Sequence, residues 1–238
     1  AEHFNALLSG GVQYAGSSIS VGPPPGEQAA LLPLATMDQI RQVKGVDAVF
    51  PRYTFDANPT AGVSFGPPDM IAFMDPSAMA RTGLNMTMAA GRALNQDGSG
   101  EVVLGTSLAS EFKKQVGDTI ELPVKPQDAQ PAFVSHEFKV VGILNSTGTA
   151  PDTMALVSAQ DARMLLADSL PPQVRRAVDV SQMAMGFMVF GKPGTTTSQL
   201  DTIAEAINQQ VPGVAATKPS VTVASFKSIN TTMTAVMT

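Results

Sequence analysis

The chain has 238 residues, 44% of them hydrophobic and 15% charged, with a formal net charge of -5 and no cysteine. Its 15 Lys and Arg are thinly spread with no basic cluster, so nothing neutralises a phosphate backbone and nucleic acid is excluded as a partner; the acidic balance also disfavours charge-driven attachment to anionic headgroups. Without thiols there is no disulfide framework, thiolate metal site or cysteine nucleophile, and the absence leans toward an exported bacterial domain.

A chain of this length buries roughly 70% of its unfolded surface, which suffices for one large domain or two small ones. It opens Ala1-Glu2-His3-Phe4, without the basic and apolar regions of a signal peptide, and is expected to be a processed or excised piece. Phe4, Leu7 and Leu8 recur at helical spacing, so residues 1–11 read as a helix, either a short surface helix packing on the core or the end of a membrane-proximal one. Residues 14–21 read as a strand, and a Pro-rich connection follows at 22–26. Thr36-Met37-Asp38-Gln39 has the form of a capping box opening a short helix with Ile40 and Val43 inward. Gly45 stops that helix before an apolar strand at 46–50.

From 66 to 172 the rhythm changes. Short strands are predicted at 70–74, 101–104, 118–124, 138–144 and 153–157, with alternation clearest at Ile120, Leu122 and Val124. A helix is predicted over 107–115 with Lys113 and Lys114 in its last turn; another starts at Ser158, with Asp161 completing a capping box, and ends before Pro171-Pro172. A strand at 185–190 then leads to a helix capped by Ser198, whose Leu200, Ile203, Ala204, Ile207 and Val211 form one stripe. Pro212-Gly213 ends it before a predicted strand at 221–223. Phe226, Ile229, Met233 and Val236 make residues 225–238 read as a helix, again either a surface helix or the start of one leading to a membrane span.

These elements predict an α+β fold: a split βαβ–βαβ subdomain, residues 12–65 plus 173–224, interrupted by a mainly β inserted subdomain at 66–172. Within the insert runs an ordered phrase: Gly91-Arg92, Glu101-Val102-Val103-Leu104-Gly105, Ser107-Leu108-Ala109, Val116-Gly117-Asp118-Thr119-Ile120 and Phe138-Lys139-Val140-Val141-Gly142-Ile143-Leu144. The order and spacing resemble the periplasmic core domain of MacB-type ABC transporter permeases, a family that includes LolC/LolE and FtsX-like permeases. The residues themselves suit structural work: Gly117-Asp118 turns the chain from a helix end into a strand, Gly105 stands between strand and helix, and Gly142 permits close packing inside a strand.

The resemblance implies a porter-like and a sabre-like subdomain on the extracytoplasmic face of the bacterial membrane, anchored between the first and second transmembrane helices. It further implies a non-catalytic role coupling ATP hydrolysis by a cytoplasmic subunit to export or to an envelope partner, without cofactor. A second permease copy and an envelope adaptor or cargo are implied as partners beside the flanking spans. No G-x-x-x-x-G-K-[ST] occurs in the chain. Two Pro-rich stretches, 124–135 and 62–69, depart from the family pattern. The competing reading is a free-standing envelope ligand-binding or adhesion domain.

Enzyme-like patterns are weak. Ser110-Glu111-Phe112-Lys113 has the S-x-x-K form but lacks S-D-N and K-T-G partners. Ser135-His136-Glu137 cannot form a relay, because strand neighbours face opposite ways. The segment 95–100 imitates the start of a calcium loop but lacks the bidentate Glu at position twelve. Met86 with Met88, and Met183 with Met185, would place thioethers on a shared strand face, as a soft metal requires, although methionine is ordinarily core filler.

Overall fold

The computed structural model describes residues 2–26, 31–57, 70–124 and 134–236. In chain order the elements are α1 (Glu2–Gly16), β1 (Ile19–Gly22), β2 (Leu32–Pro33), α2 (Thr36–Arg41), β3 (Ala48–Asp56), β4 (Met70–Phe73), α3 (Pro76–Arg81), β5 (Met88–Gly91), β6 (Glu101–Leu104) and α4 (Thr106–Glu111). They continue with β7 (Thr119–Val124), β8 (Val134–Leu144), β9 (Met154–Leu156), α5 (Ala159–Ser169), α6 (Pro172–Ala177), β10 (Met183–Ala184), β11 (Gly186–Phe190), α7 (Thr197–Gln210), β12 (Ala215–Thr217) and α8 (Pro219–Val236).

Two compact units divide the chain. The first comprises Ala1–Arg52, Asp75–Asn85 and Met183–Thr238, the second Tyr53–Met74 and Met86–Gln182. The crossings at 52/53 and 182/183 differ from the 65/66 and 172/173 boundaries read from composition, and α3 returns to the first unit. The physical reason is that pairing changes inside a continuous strand: the first half of β3 pairs with β11 and the second half with β4. The Pro/Gly-rich stretch that marks the change in composition comes later.

In the first unit the strands lie in the order β12-β1-β11-β3, each antiparallel to its neighbour. Strands β1 and β3 are therefore parallel, as are β11 and β12, and each crossover, through α2 and through α7, skips one strand. These are two interlocked split βαβ units. Alternate residues Ile19, Val21, Val49, Phe187 and Val189 are buried, together with Ile40 beneath α2 and Leu200, Ala204 and Ile207 of α7. The 3.6-residue stripe of α7 and the period-2 alternation of the strands meet in one core.

Several local expectations fail for identifiable reasons. Residues 14–16 extend α1 instead of opening a strand, and β1 begins only at Ile19. Thr36 lies inside α2 and is buried, with Ala35 at the cap in helical geometry, so the capping box expected there does not form. The cap of α7 is Thr196, two residues before Ser198, with a reciprocal Thr196–Gln199 box. Residues 221–223 belong to α8, not to a strand; β-branched Val-Thr-Val misled, whereas Pro219 suits a first helical turn and Ala215–Thr217 supply the edge strand.

The second unit is a mixed sheet, ordered β3-β4-β9-β6-β8-β5 with β7 also on β8. The pairs β4/β9 and β6/β8 are parallel and the rest antiparallel. Eleven-residue β8 carries β6 along one edge, with β7 and then β5 along the other. Helix α4 stops at Glu111, before the lysines, because Lys113 adopts φ 51. Ser158 caps α5 by accepting from the Asp161 N–H at 3.2 Å, but the Asp161 carboxylate turns to the Gly100 N–H at 2.9 Å, so only half of the expected capping box is present. Helix α6 was unforeseen; Pro172 occupies its first turn.

Helix α2 already ends at Arg41, and Gly45, at φ +95, lies in the turn that follows, where an added Cβ would stand 2.8 Å from Ile203 Cδ1. Gly45→Ala should destabilise the chain by about 1–3 kcal/mol in urea unfolding, since left-handed strain and crowding against α7 act together. An unchanged midpoint would contradict that packing.

Candidate functional site

The phrase residues gather on β8. Gly91, at φ +71, pairs with Gly142 in register, and a Cβ on either would overlap a backbone carbonyl, that of Val141 or of Arg92. The Arg92 N–H donates to the Val141 carbonyl at 2.9 Å, and its guanidinium grips Glu101 through two bonds of 2.5 and 3.1 Å. That guanidinium holds the Glu101 carboxyl below its ordinary range. Gly117, at φ +97, donates to the Val140 carbonyl at 2.9 Å, and the Asp118 carbonyl accepts the Val140 N–H at 2.8 Å. The Asp118 carboxylate accepts the Gln115 N–H at 2.8 Å, closing the turn after α4. Gly105 stands apart from this group: its N–H donates to the Met154 carbonyl at 2.8 Å, and a Cβ there would overlap the carbonyls of Pro151 and Asp152. Glycine, the bidentate arginine and the turn aspartate all serve backbone geometry.

Asp152 escaped the reading of the sequence. Only 8% exposed, its carboxylate accepts from Ser146 Oγ, Thr147 N–H, Thr147 Oγ1 and Gly148 N–H at 2.7–2.9 Å. It folds the segment after β8 into the turn that presses on Gly105. The available signal was the Ser-Thr-Gly-Thr run just before Pro151-Asp152, hydroxyl and glycine groups suited to surround one carboxylate.

The enzyme-like patterns do not assemble. Ser110 is in α4, whereas Lys113 lies beyond its end in left-handed geometry, so the S-x-x-K spacing does not place both on one helical face. His136 sits in β8 with Nε2 2.9 Å from Asp168 Oδ2, unaligned for a hydrogen bond. At 95–100 the Asn95 side chain accepts the Asp97 N–H at 3.2 Å, an Asx turn. Met86 precedes β5, which begins at Met88, and Met183 is in β10 while Met185 follows it, so neither methionine pair shares one strand. Among the described residues no group of three or more His, Asp or Glu gathers as a metal site. Residues 62–69 and 125–133, which hold most of the two Pro-rich departures, lie outside the described residues.

In the first unit two features stand out. Helices α1 and α8 pack closely: a Cβ on Gly11 would enter the Phe226 ring, and one on Gly16 would lie 3.3 Å from Val223 Cγ2. Contacts 11 with 226 and 16 with 223 run in opposite directions, so the pair is antiparallel, and the Glu2 end of α1 and the Val236 end of α8 point the same way. Among the described residues no helix is long and apolar enough to cross a membrane. Beside this pair opens a groove of about 1120 Å³ walled by α1, α3, the β11–α7 loop and α8.

Gly105→Ala should cost several times more than Gly117→Ala, about 3 against about 1 kcal/mol in denaturant unfolding, because only the first meets backbone oxygens. Equal costs would show that the 150–153 turn yields freely. At Asp161, burial pushes the carboxyl above its ordinary 3.8, against the opposing Gly100 N–H. The folded form thus binds the proton more tightly; that stabilisation is present below 3.8 and is lost as pH rises through the raised folded value. Asp161→Asn keeps an acceptor for Gly100 but cannot ionise, so wild type should lose stability relative to the variant between pH 3.5 and 7. The opposite trend in paired urea titrations would contradict this.

Residues 3–201 match the family model of the MacB-like periplasmic core domain. Among proteins of curated function, none matches in sequence. The fold is similar to the periplasmic region of MacB from Actinobacillus actinomycetemcomitans, at 11% identity and TM-score 0.50, covering 89% of this chain and 92% of that one. The extracellular domain of the noncanonic ABC-type transporter YknZ from Gram-positive bacteria gives 13% identity and TM-score 0.48, covering 84% and 99%. A domain of a putative permease from Porphyromonas gingivalis gives 13% and 0.41, covering 86% and 91%. With most of its length matched, and with the α+β architecture of the first of these structures, the chain belongs to the MacB-like periplasmic core domains, extracytoplasmic parts of membrane-anchored ABC transporter permeases.

Proposed function

We propose that this domain performs no catalysis and instead transmits motion, coupling ATP hydrolysis by a cytoplasmic ATP-binding subunit to export or to an envelope partner. Its immediate partners are transmembrane helices continuing α1 and α8; a second permease copy and an envelope adaptor or cargo complete the assembly. The observation that carries this reading is the antiparallel α1–α8 pair, whose far ends point one way.

Short, pinned joints support it. Only residues 17 and 18 separate α1 from β1, and the Ser17 hydroxyl donates to the Tyr14 carbonyl at 2.7 Å. Only Lys218 separates β12 from α8. It meets Glu205 of α7 at 2.5 Å, while the Ser220 N–H donates to Asp201 at 3.1 Å. Displacing either helix therefore pulls on a four-stranded sheet with little slack. Glycine at position 11 lets the helices approach closely enough to move as one.

This chain lacks cysteine, so a dye on Gln209→Cys, exposed on α7, labels it at one position, with any cysteine elsewhere in the permease replaced. In the full permease, energy transfer from that dye to headgroup acceptors should change when the partner ATPase binds ATP, and Gly11→Leu should abolish the change while ATP hydrolysis continues. Constant transfer through a working ATPase cycle would contradict the proposal.

A further inference from the structure

The groove of the first unit has a charge pattern that the transmission of motion does not require. Its lining includes Arg81, Lys192 and Lys227 and no Asp or Glu, in a chain with 20 acidic and 15 basic residues. Arg81 is met by Asp47 at 2.7 Å. Lys192 and Lys227 are exposed, and among the described residues neither has a carboxylate within ion-pair distance. Of the acids of neighbouring α7, Asp201 accepts the N–H of the lining residue Ser220 at the groove's edge, and Glu205 pairs with Lys218.

Two local contacts shape the walls. Gln13 Nε2 donates to the Gly83 carbonyl at 3.5 Å, joining α1 to the turn after α3. In the β11–α7 loop Gly194 adopts φ +86, and both the Thr195 N–H and hydroxyl donate to the Lys192 carbonyl, at 3.0 and 2.6 Å. Half-buried Val12 and Val223 and exposed Pro193 supply apolar surface in the groove. At about 1120 Å³ the space is far larger than an inorganic ion needs and suits an organic molecule.

We propose that this groove binds an amphiphilic organic anion, its apolar body against Val12, Val223 and Pro193 and its negative group between Lys192 and Lys227. Cations without carboxylate neighbours focus a positive potential into the cleft, and lysine stems lie along apolar surface while their ammonium groups reach the ligand.

The probe is 8-anilinonaphthalene-1-sulfonate, titrated against the folded chain and compared with the uncharged N-phenyl-1-naphthylamine. The sulfonate should bind saturably and more weakly as salt rises, the neutral probe more weakly throughout and without salt dependence. Lys192→Glu with Lys227→Glu should weaken sulfonate binding about tenfold or more. Lys192→Gln with Lys227→Gln, the milder pair if reversal disturbs folding, should weaken it in the same direction, and Lys113→Glu with Lys114→Glu in the second unit should not. Absent saturation, equal affinity for the neutral probe, or sulfonate affinity unmoved in both double variants would each overturn the proposal.

Discussion

The first unit depends on one pairing, β1 against β11. Ile19 faces Val189 and Val21 faces Phe187, four side chains without solvent exposure, from strands about 170 residues apart in sequence. Because each strand is the central member of the other's split crossover, β12 and β3 have places only after β1 and β11 have met. Closing so long a loop costs conformational entropy before any contact repays it. Its consequence is that the second unit is inserted into a frame closed by the two ends of the chain, with α1 and α8 beside each other.

That arrangement gives the family resemblance a mechanical reading. Gly91, Gly117 and Gly142 allow close backbone approach at β8, and the Arg92–Glu101 pair adds an exposed clamp of little energetic weight in itself. None of these groups is poised for proton transfer or nucleophilic attack. What the first unit adds is a short connection between α1, α8 and the sheet, together with a groove in which, among the described residues, Lys192 and Lys227 have no carboxylate within ion-pair distance.

Much of the architecture was legible because it rests on local signals. Strand β6 at Glu101–Leu104, the α7 stripe with its Pro212-Gly213 stop, and the interrupted βαβ order follow from periodicity and punctuation. What was not legible depends on distant partners. Asp161 forms a capping-box pattern on paper but spends its carboxylate on Gly100, and Val221–Val223 carry β-branched residues yet join a helix that packs on α1. The Asp152 turn and the groove were invisible for the same reason: the groups that compose them converge only after folding.

The central claim is that the ends of the chain close on each other with α1 and α8 antiparallel, and cross-linking on the cysteine-free background tests it most directly. With Gly11 opposite Phe226 and Gly16 opposite Val223, position 9 falls near 229 and roughly 12 Å along the helix from 221. A short bismaleimide should join Ser9→Cys to Ile229→Cys and leave Ser9→Cys with Val221→Cys unjoined. Efficient joining of 9 to 221, with none of 9 to 229, would contradict the arrangement.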